Sequence, residues 1–194
     1  MKTLILVALS VLLVPQLAAA GAYHGQVVDA ATGAPLSDAV VVLWWVKAPI
    51  IHMDGPVYFH EAKEALTDGE GRFSLSPWRK PDLNPFTVVQ TPHLIVFKPG
   101  YEPLCVGFWQ GKGLTYDDWR GDLRRGARLM LPRLRPEQDD PRSKVRGLVT
   151  GLGELGMAGD IREGRFPNLF RLINVDRRRH GLGPIGTPSG GSDR

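Results

Sequence analysis

Seven consecutive apolar residues, Ala39 to Trp45 (AVVVLWW), constrain this chain more than any other stretch. The run is β-branched and aromatic, which favours an extended strand. Neighbours along a strand point to opposite faces. Val41, Leu43 and Trp45 therefore share one face, and Val40, Val42 and Trp44 share the other. One apolar face can line a core between two sheets; the second needs a separate cover. Immediately before the run lies ATGAPLSD, residues 31–38. Gly33 there can take a positive φ and Pro35 pre-sets the next one, so the segment reads as a connector between antiparallel strands.

A cover is available late in the chain. FPNLFRLINVDRRRHG, residues 166–181, predicts a helix. Pro167 suits a first turn, Gly181 stops the helix, and Arg177 to His180 sit where the helix dipole favours cations. Phe166, Leu169, Phe170 and Ile173 recur at helical spacing and give one apolar stripe. That stripe is expected to pack on the outer face of a sheet, against one of the two tryptophans. Covering a Trp and a few Val is worth ~4–6 kcal/mol, at about 25 cal/mol per Å².

Residues 23–134 otherwise read as short strands with turns between them. YHGQVVD, HLIVFK, PLCVGFW and ARLMLPRL are strand-like. VYFHEAKEALT (57–67) is rich in Glu, Lys and Ala, yet it runs straight into the glycine turn TDGEGRF, so it too reads as a strand. Asp68 and Gly71 mark that turn, read as a hairpin, and Gly100 marks the turn in PGY. Such spacing indicates an all-β sandwich, not a βαβ sheet. RPEQDDPRSK (135–144) reads as a linker. The domain division is thus 21–134 sandwich, 135–183 linker plus amphipathic helix, and 184–194 a tail expected to be disordered.

The first twenty residues read as a secretory leader. Lys2 starts it, Leu4 to Leu13 form an apolar run, Pro15 breaks the run, and Ala18-Ala19-Ala20 precedes the expected cut between Ala20 and Gly21. About ten apolar residues are too few to span a bilayer. The chain is therefore expected to be exported, to the periplasm or beyond the cell, with no membrane span in its mature form. Its single cysteine, Cys105, excludes an intramolecular disulfide and reads as a buried apolar side chain. Charge is uneven: residues 21–118 carry 7 Lys+Arg and 11 Asp+Glu, and residues 119–194 carry 16 and 9.

GQVVDAATGAPLSDAVVVL, TDGEGRFSL and LIVFKPGY occur in that order. Together they resemble the carboxypeptidase regulatory-like domain. The matching positions are Gly25, Val27, Asp29, Gly33, Pro35, Leu36, Ala39, Thr67, Asp68, Gly71, Phe73, Leu75, Gly100 and Tyr101. The resemblance covers roughly residues 24–102. It implies a seven-stranded Greek-key sandwich of the transthyretin-like type; with the helix above, the expectation is such a sandwich with a C-terminal helical extension packed on one sheet. It also implies a non-catalytic module. The segment TPHLIVFKPGYEPL is similar, in addition, to part of the intradiol ring-cleaving dioxygenases. Their ferric iron is held by two Tyr and two His. His93 matches the first histidine, but Ile95 stands where the second belongs, which removes a ligand outright. Tyr58, Tyr101 and Tyr116 show no matching spacing.

Other chemistry is weaker. The other histidines are His24, His52, His60 and His180. HEAKE (60–64) lacks the second His of a zinc helix and reads as strand. His52, His60, Glu61 and Glu64, which could gather near one end of the sandwich, read as solvated residues on a loop and an exposed strand face. GLGELG (151–156), with Asp176 beyond it, satisfies a dinucleotide-binding pattern without the βαβ setting that gives the pattern meaning, and reads as a loop. Trp78, Phe108, Trp109, Tyr116 and Trp119 fall in or near expected loops, where an aromatic can anchor a protein or carbohydrate partner. Arg177, Arg178 and Arg179 can meet an anionic surface. The resulting expectation is an exported, non-catalytic binding or scaffolding protein of the cell envelope. It uses no cofactor and binds no nucleic acid. The alternatives are a degenerate iron enzyme of the dioxygenase kind, or an envelope protein that contacts anionic surfaces through its basic C-terminal helix.

Overall fold

The computed structural model describes residues 22–50, 58–77, 83–90, 92–106, 119–135, 140–152 and 166–185. The leader, the cleavage pair Ala20 and Gly21, Trp78, Phe108, Trp109, Tyr116, His52 and most of the tail lie outside them. The strands are β1 (Tyr23–Asp29), β2 (Val40–Pro49), β3 (Tyr58–Leu66), β4 (Arg72–Leu75), β5 (Thr87–Val89), β6 (His93–Phe97), β7 (Leu104–Val106) and β8 (Ala127–Leu131). The helices are α1 (Trp119–Arg125), α2 (Pro141–Leu152) and α3 (Pro167–Arg179).

The architecture is an all-β sandwich with a helical extension on one sheet. A three-stranded sheet has the order β4-β1-β8. A five-stranded sheet has the order β3-β2-β6-β7, with β5 also paired to β2. The short β5 takes the strand count one above seven. It pairs with the far end of β2, at Lys47 to Pro49, where β6 no longer reaches. β8 runs parallel to β1, so the last strand closes the sheet that the first one opened.

β2 is buried along nearly its whole length, and its two faces go to two different cores. Val41, Leu43 and Trp45 face the inner core, with Val27, Leu36, Phe73, Leu75, Leu94, Val96, Leu129 and Leu131. Val40, Val42, Trp44 and Val46 face outward, where they meet Ile95 and Phe97 from β6 and Leu148, Phe166, Leu169, Leu172 and Ile173 from the helical layer. Trp44 is fully buried beneath that layer. His93 stacks on it, with ring centroids 4.9 Å apart. Phe166 meets Phe59 of β3 edge-on at 6.1 Å. The molecule is therefore three layers deep: three strands, five strands, helices.

Four local expectations are corrected. The connector at 31–38 and the turn TDGEGRF do not join partners within one sheet. Each crosses from one sheet to the other, because β1 and β4 belong to the first and β2 and β3 to the second. Gly71 has φ of 71°, and a Cβ there would lie 2.5 Å from the Val27 carbonyl oxygen, so the crossing grips β1 closely. The expected linker at 135–144 already enters a helix at Pro141, and that helix takes up the start of the GLGELG segment. Trp119 opens α1 and does not sit in a loop. In α3 the fully covered residues are Leu169, Leu172, Ile173 and Asp176, while Phe170 is only half-buried.

Ile173→Ala should destabilise the fold by about 2–5 kcal/mol, since it empties a buried site, and should raise binding of a hydrophobic dye. Met130→Ala, at a side chain 61% exposed, should stay within about 0.5 kcal/mol. Chemical denaturation of both variants checks this.

Candidate functional site

Three sets of polar side chains stand out, and each is best understood from the elements that position it. The first ties up one end of the sandwich. Asp29, at the end of β1, is almost wholly buried. Its Oδ1 accepts the Ala31 and Thr32 backbone N–H groups at 2.9 and 3.1 Å. Its Oδ2 accepts the Tyr101 hydroxyl at 3.1 Å and the Arg133 guanidinium at 3.2 Å. Arg133 also lies over the Tyr101 ring, 5.4 Å from its centroid. The Thr32 amide leads the groups that hold the Asp29 carboxyl down at about 2, against the opposing effect of burial. Thr67 stitches the same region: its hydroxyl donates to the Leu36 carbonyl at 2.6 Å and accepts the Ala39 N–H at 2.9 Å. Asp68 does likewise for its turn. The Arg72 amide is the main group keeping its carboxyl low.

The second set fastens α3. Its first turn has no capping side chain of its own. Glu64 of β3 supplies the cap from outside the helix: one oxygen accepts the Asn168 backbone and side-chain N–H groups at 2.7 and 2.8 Å, and the other accepts the Leu169 N–H at 3.2 Å. Glu64 lies opposite Val42, on the helix-covered face, so it is a helix anchor and not the solvated residue the sequence suggested. Near the other end, Asp176 is buried and its Oδ1 accepts the Gly100 N–H at 3.2 Å. His180 Nδ1 lies 2.9 Å from the Asp176 carbonyl and 3.5 Å from Oδ2. A carbonyl only accepts, so Nδ1 carries a hydrogen. Lys98, in the turn that holds Gly100, donates to the Ser37 carbonyl at 2.5 Å. Burial lowers its pKa, the Arg179 charge lowers it further, and Asp38 opposes both.

The third set is the outer face of the helical layer. Arg142 and Arg146 on α2 and Arg171, Arg178 and Arg179 on α3 are exposed. None of these five guanidiniums has an ion pair among the described residues. Arg177 turns back to the Gly183 carbonyl at 2.6 Å, and Lys144 pairs with Glu102 at 2.5 Å. α2 contains no acidic residue, and the one acid of α3, Asp176, faces inward. Reading the sequence found Arg177 to Arg179 but missed Arg142, Arg146 and Arg171. The i,i+4 spacing of the first two, in an acid-free stretch, was the available signal.

The iron-binding arrangement does not fit these residues. Ile95 is packed in the apolar cluster beneath the helices, and His93 is stacked on Trp44 beside it. The Tyr101 hydroxyl is committed to Asp29 and Arg133. Tyr58 is half-exposed at the start of β3. Among the described residues no three His, Cys, Asp or Glu gather as metal ligands. Burial pushes the Cys105 thiol up to about 12, which keeps it protonated and unreactive at neutral pH. Gly33, Gly71 and Gly100 take positive φ, Asp68 accepts the Glu70 and Arg72 N–H groups, and Pro35 bridges to Val28. The side chain of Trp119 lies outside the described part.

No known family model matches the chain, and no curated protein is significantly similar to it.

Two predictions follow from the anchors. Asp29 has a folded pKa below its unfolded value of 3.8, so its contribution is present above about pH 4 and is lost as pH falls toward about 2. Asp29→Asn should lower stability at neutral pH and flatten that acid limb, as thermal melts between pH 2 and 7 would show. Glu64→Ala should cost about 0.5–2 kcal/mol, the usual range for a lost helix cap, and Glu64→Gln less. Hydrogen exchange at the Asn168 and Leu169 amides should speed up in the alanine variant.

Proposed function

We propose that this chain is an exported, non-catalytic binding or scaffolding module of the carboxypeptidase regulatory-like kind, working outside the cytoplasm. It presents the outer face of its helical layer to a partner in the cell envelope. One observation carries the reading: Asp29, Thr67, Asp176 and the half-buried Glu64 are spent on holding the fold, while exposed arginines of the two helices have no ion pair among the described residues. Asp29, Thr67, Glu64 and Asp176 each serve a turn, a crossing or a helix end. Arg142, Arg146, Arg171, Arg178 and Arg179 serve no such purpose.

Two further points support it. The positions that carry the family resemblance are used here structurally: Val27, Leu36, Ala39, Phe73, Leu75 and Tyr101 fill the inner core, and Gly33, Gly71 and Gly100 take positive φ. No described helix is long and apolar enough to cross a membrane.

The purified chain should contain no stoichiometric iron and show no tyrosinate-to-iron colour. A pull-down from the envelope fraction should weaken severalfold for the double variant Arg171→Gln/Arg178→Gln. Stoichiometric iron with a visible charge-transfer band overturns the non-catalytic reading. An envelope pull-down indifferent to both substitutions overturns the assignment to this face.

A further inference from the structure

Resting on that reading, we infer that the partner of the helical layer is an anionic lipid surface. The layer meets the headgroup phosphates with its arginines, and neither helix enters the hydrocarbon. Charge complementarity is the first argument. Arg142 and Arg146 are one turn apart on α2, and Arg171 and Arg178 are two turns apart on α3, with Arg179 beside them. All five are exposed; neither helix adds an acid to their face from its own turns, and Asp140, just ahead of α2, is turned to the Arg142 backbone N–H. Arginine's planar fork pairs with phosphate oxygens two at a time.

Layout is the second argument. These cations come from two separate helices and several turns, spread along a face instead of converging on one point. That suits a field of headgroups better than a single anion. Among the described residues of the two helices no aromatic side chain is free to stack on bases: Phe166 is buried and Phe170 half-buried against the sheet. A nucleic acid would be held by its phosphates alone, and the export expected from residues 1–20 removes the chain from the usual supply of it.

The third argument sets the depth of contact. A basic amphipathic helix ordinarily lies in a membrane interface by burying its apolar side. Here that side is already committed. Leu148, Phe166, Leu169, Leu172 and Ile173 cover Val40, Val42, Trp44 and Val46. Glu64 and Asp176 hold α3 in place from the sheet and the β6–β7 turn. Freeing the helix to insert would strip the cover from β2. Contact is thus electrostatic and peripheral, at about fivefold in affinity per guanidinium, the factor equivalent to ~1 kcal/mol for each cation near an anionic surface.

The test is vesicle co-sedimentation of the full chain and of the chain from Gly21, the latter free of the apolar leader. Vesicles of phosphatidylcholine alone are compared with vesicles containing phosphatidylglycerol. Binding should require the anionic lipid, fall at least tenfold in high salt, and leave hydrogen exchange at the Asn168 and Leu169 amides, which report α3 staying docked, unchanged. Arg142→Gln/Arg146→Gln/Arg171→Gln/Arg178→Gln/Arg179→Gln should lose binding at least a hundredfold with an unchanged circular dichroism spectrum. A control on the other side, Arg124→Gln/Arg125→Gln/Arg128→Gln, should keep it within a fewfold. Equal binding to neutral vesicles, equal loss in the control, tighter binding to duplex DNA than to anionic vesicles, or faster exchange at the Asn168 and Leu169 amides on binding each overturns the inference. Should vesicles fail while the envelope pull-down still depends on Arg171 and Arg178, the lipid assignment falls and the binding module stands. Stoichiometric iron in the protein removes the module reading itself.

Discussion

Everything in this structure answers to the burial of β2 on both faces. A strand at the middle of an ordinary two-layer sandwich has one dry face and one wet one. This strand has Trp45 toward the first sheet and Trp44 toward the helices, and neither is exposed to any extent. A third layer is therefore not an ornament of the fold. Without it, Val40, Val42, Trp44, Ile95 and Phe97 would form a contiguous apolar patch on the open face of a sheet, the kind of surface that soluble monomers avoid. The extra residue that β3 carries opposite the Trp45–Val46 step keeps the alternation in phase on β2 while letting β3 bend away.

Apolar burial supplies most of the attraction, but it does not say where along the sheet a helix should lie. Directional contacts do. Glu64 fixes the start of α3 by accepting three N–H groups, and Asp176 fixes its later half against the Gly100 turn. Lys144 and Glu102 place α2 beside the same turn. The outward side of both helices is cationic because α2 has no acid and the one acid of α3, Asp176, faces inward.

What the sequence disclosed, and what it hid, follows from the range over which each signal acts. The two faces of β2 and the identity of α3 as its cover were readable, since alternation and helical spacing are local. The strand assignment for 57–67 held because the glycine turn behind it ends a strand within one or two residues. The sheet crossings were not readable: Gly33, Pro35 and Gly71 say that the chain turns, not which layer it turns into. α2 was hidden by Gly147 and Gly151, which weaken a helical pattern. Its start was nonetheless marked by Asp140 ahead of Pro141, and Asp140 does cap it through the Arg142 N–H at 3.0 Å. Glu64 could not be recognised as a cap from sequence, because the amides it serves lie 104 and 105 residues away. Of the five arginines on the outer face, Arg178 and Arg179 were visible in the sequence; Arg142 and Arg146 needed α2 to exist first, and Arg171 stands alone among apolar residues of α3.

The parallel pairing of β1 with β8, sealed by Asp29 reaching Arg133, joins chain segments 104 residues apart. Contacts of such long sequence separation form late and slowly. A polypeptide emerging N-terminus first could not complete its first sheet until nearly all of the sandwich had followed. Its early strands would stay open until then, and compaction would wait on the last described strand. A molecule whose closing stitch comes so late is tied only once it is nearly whole.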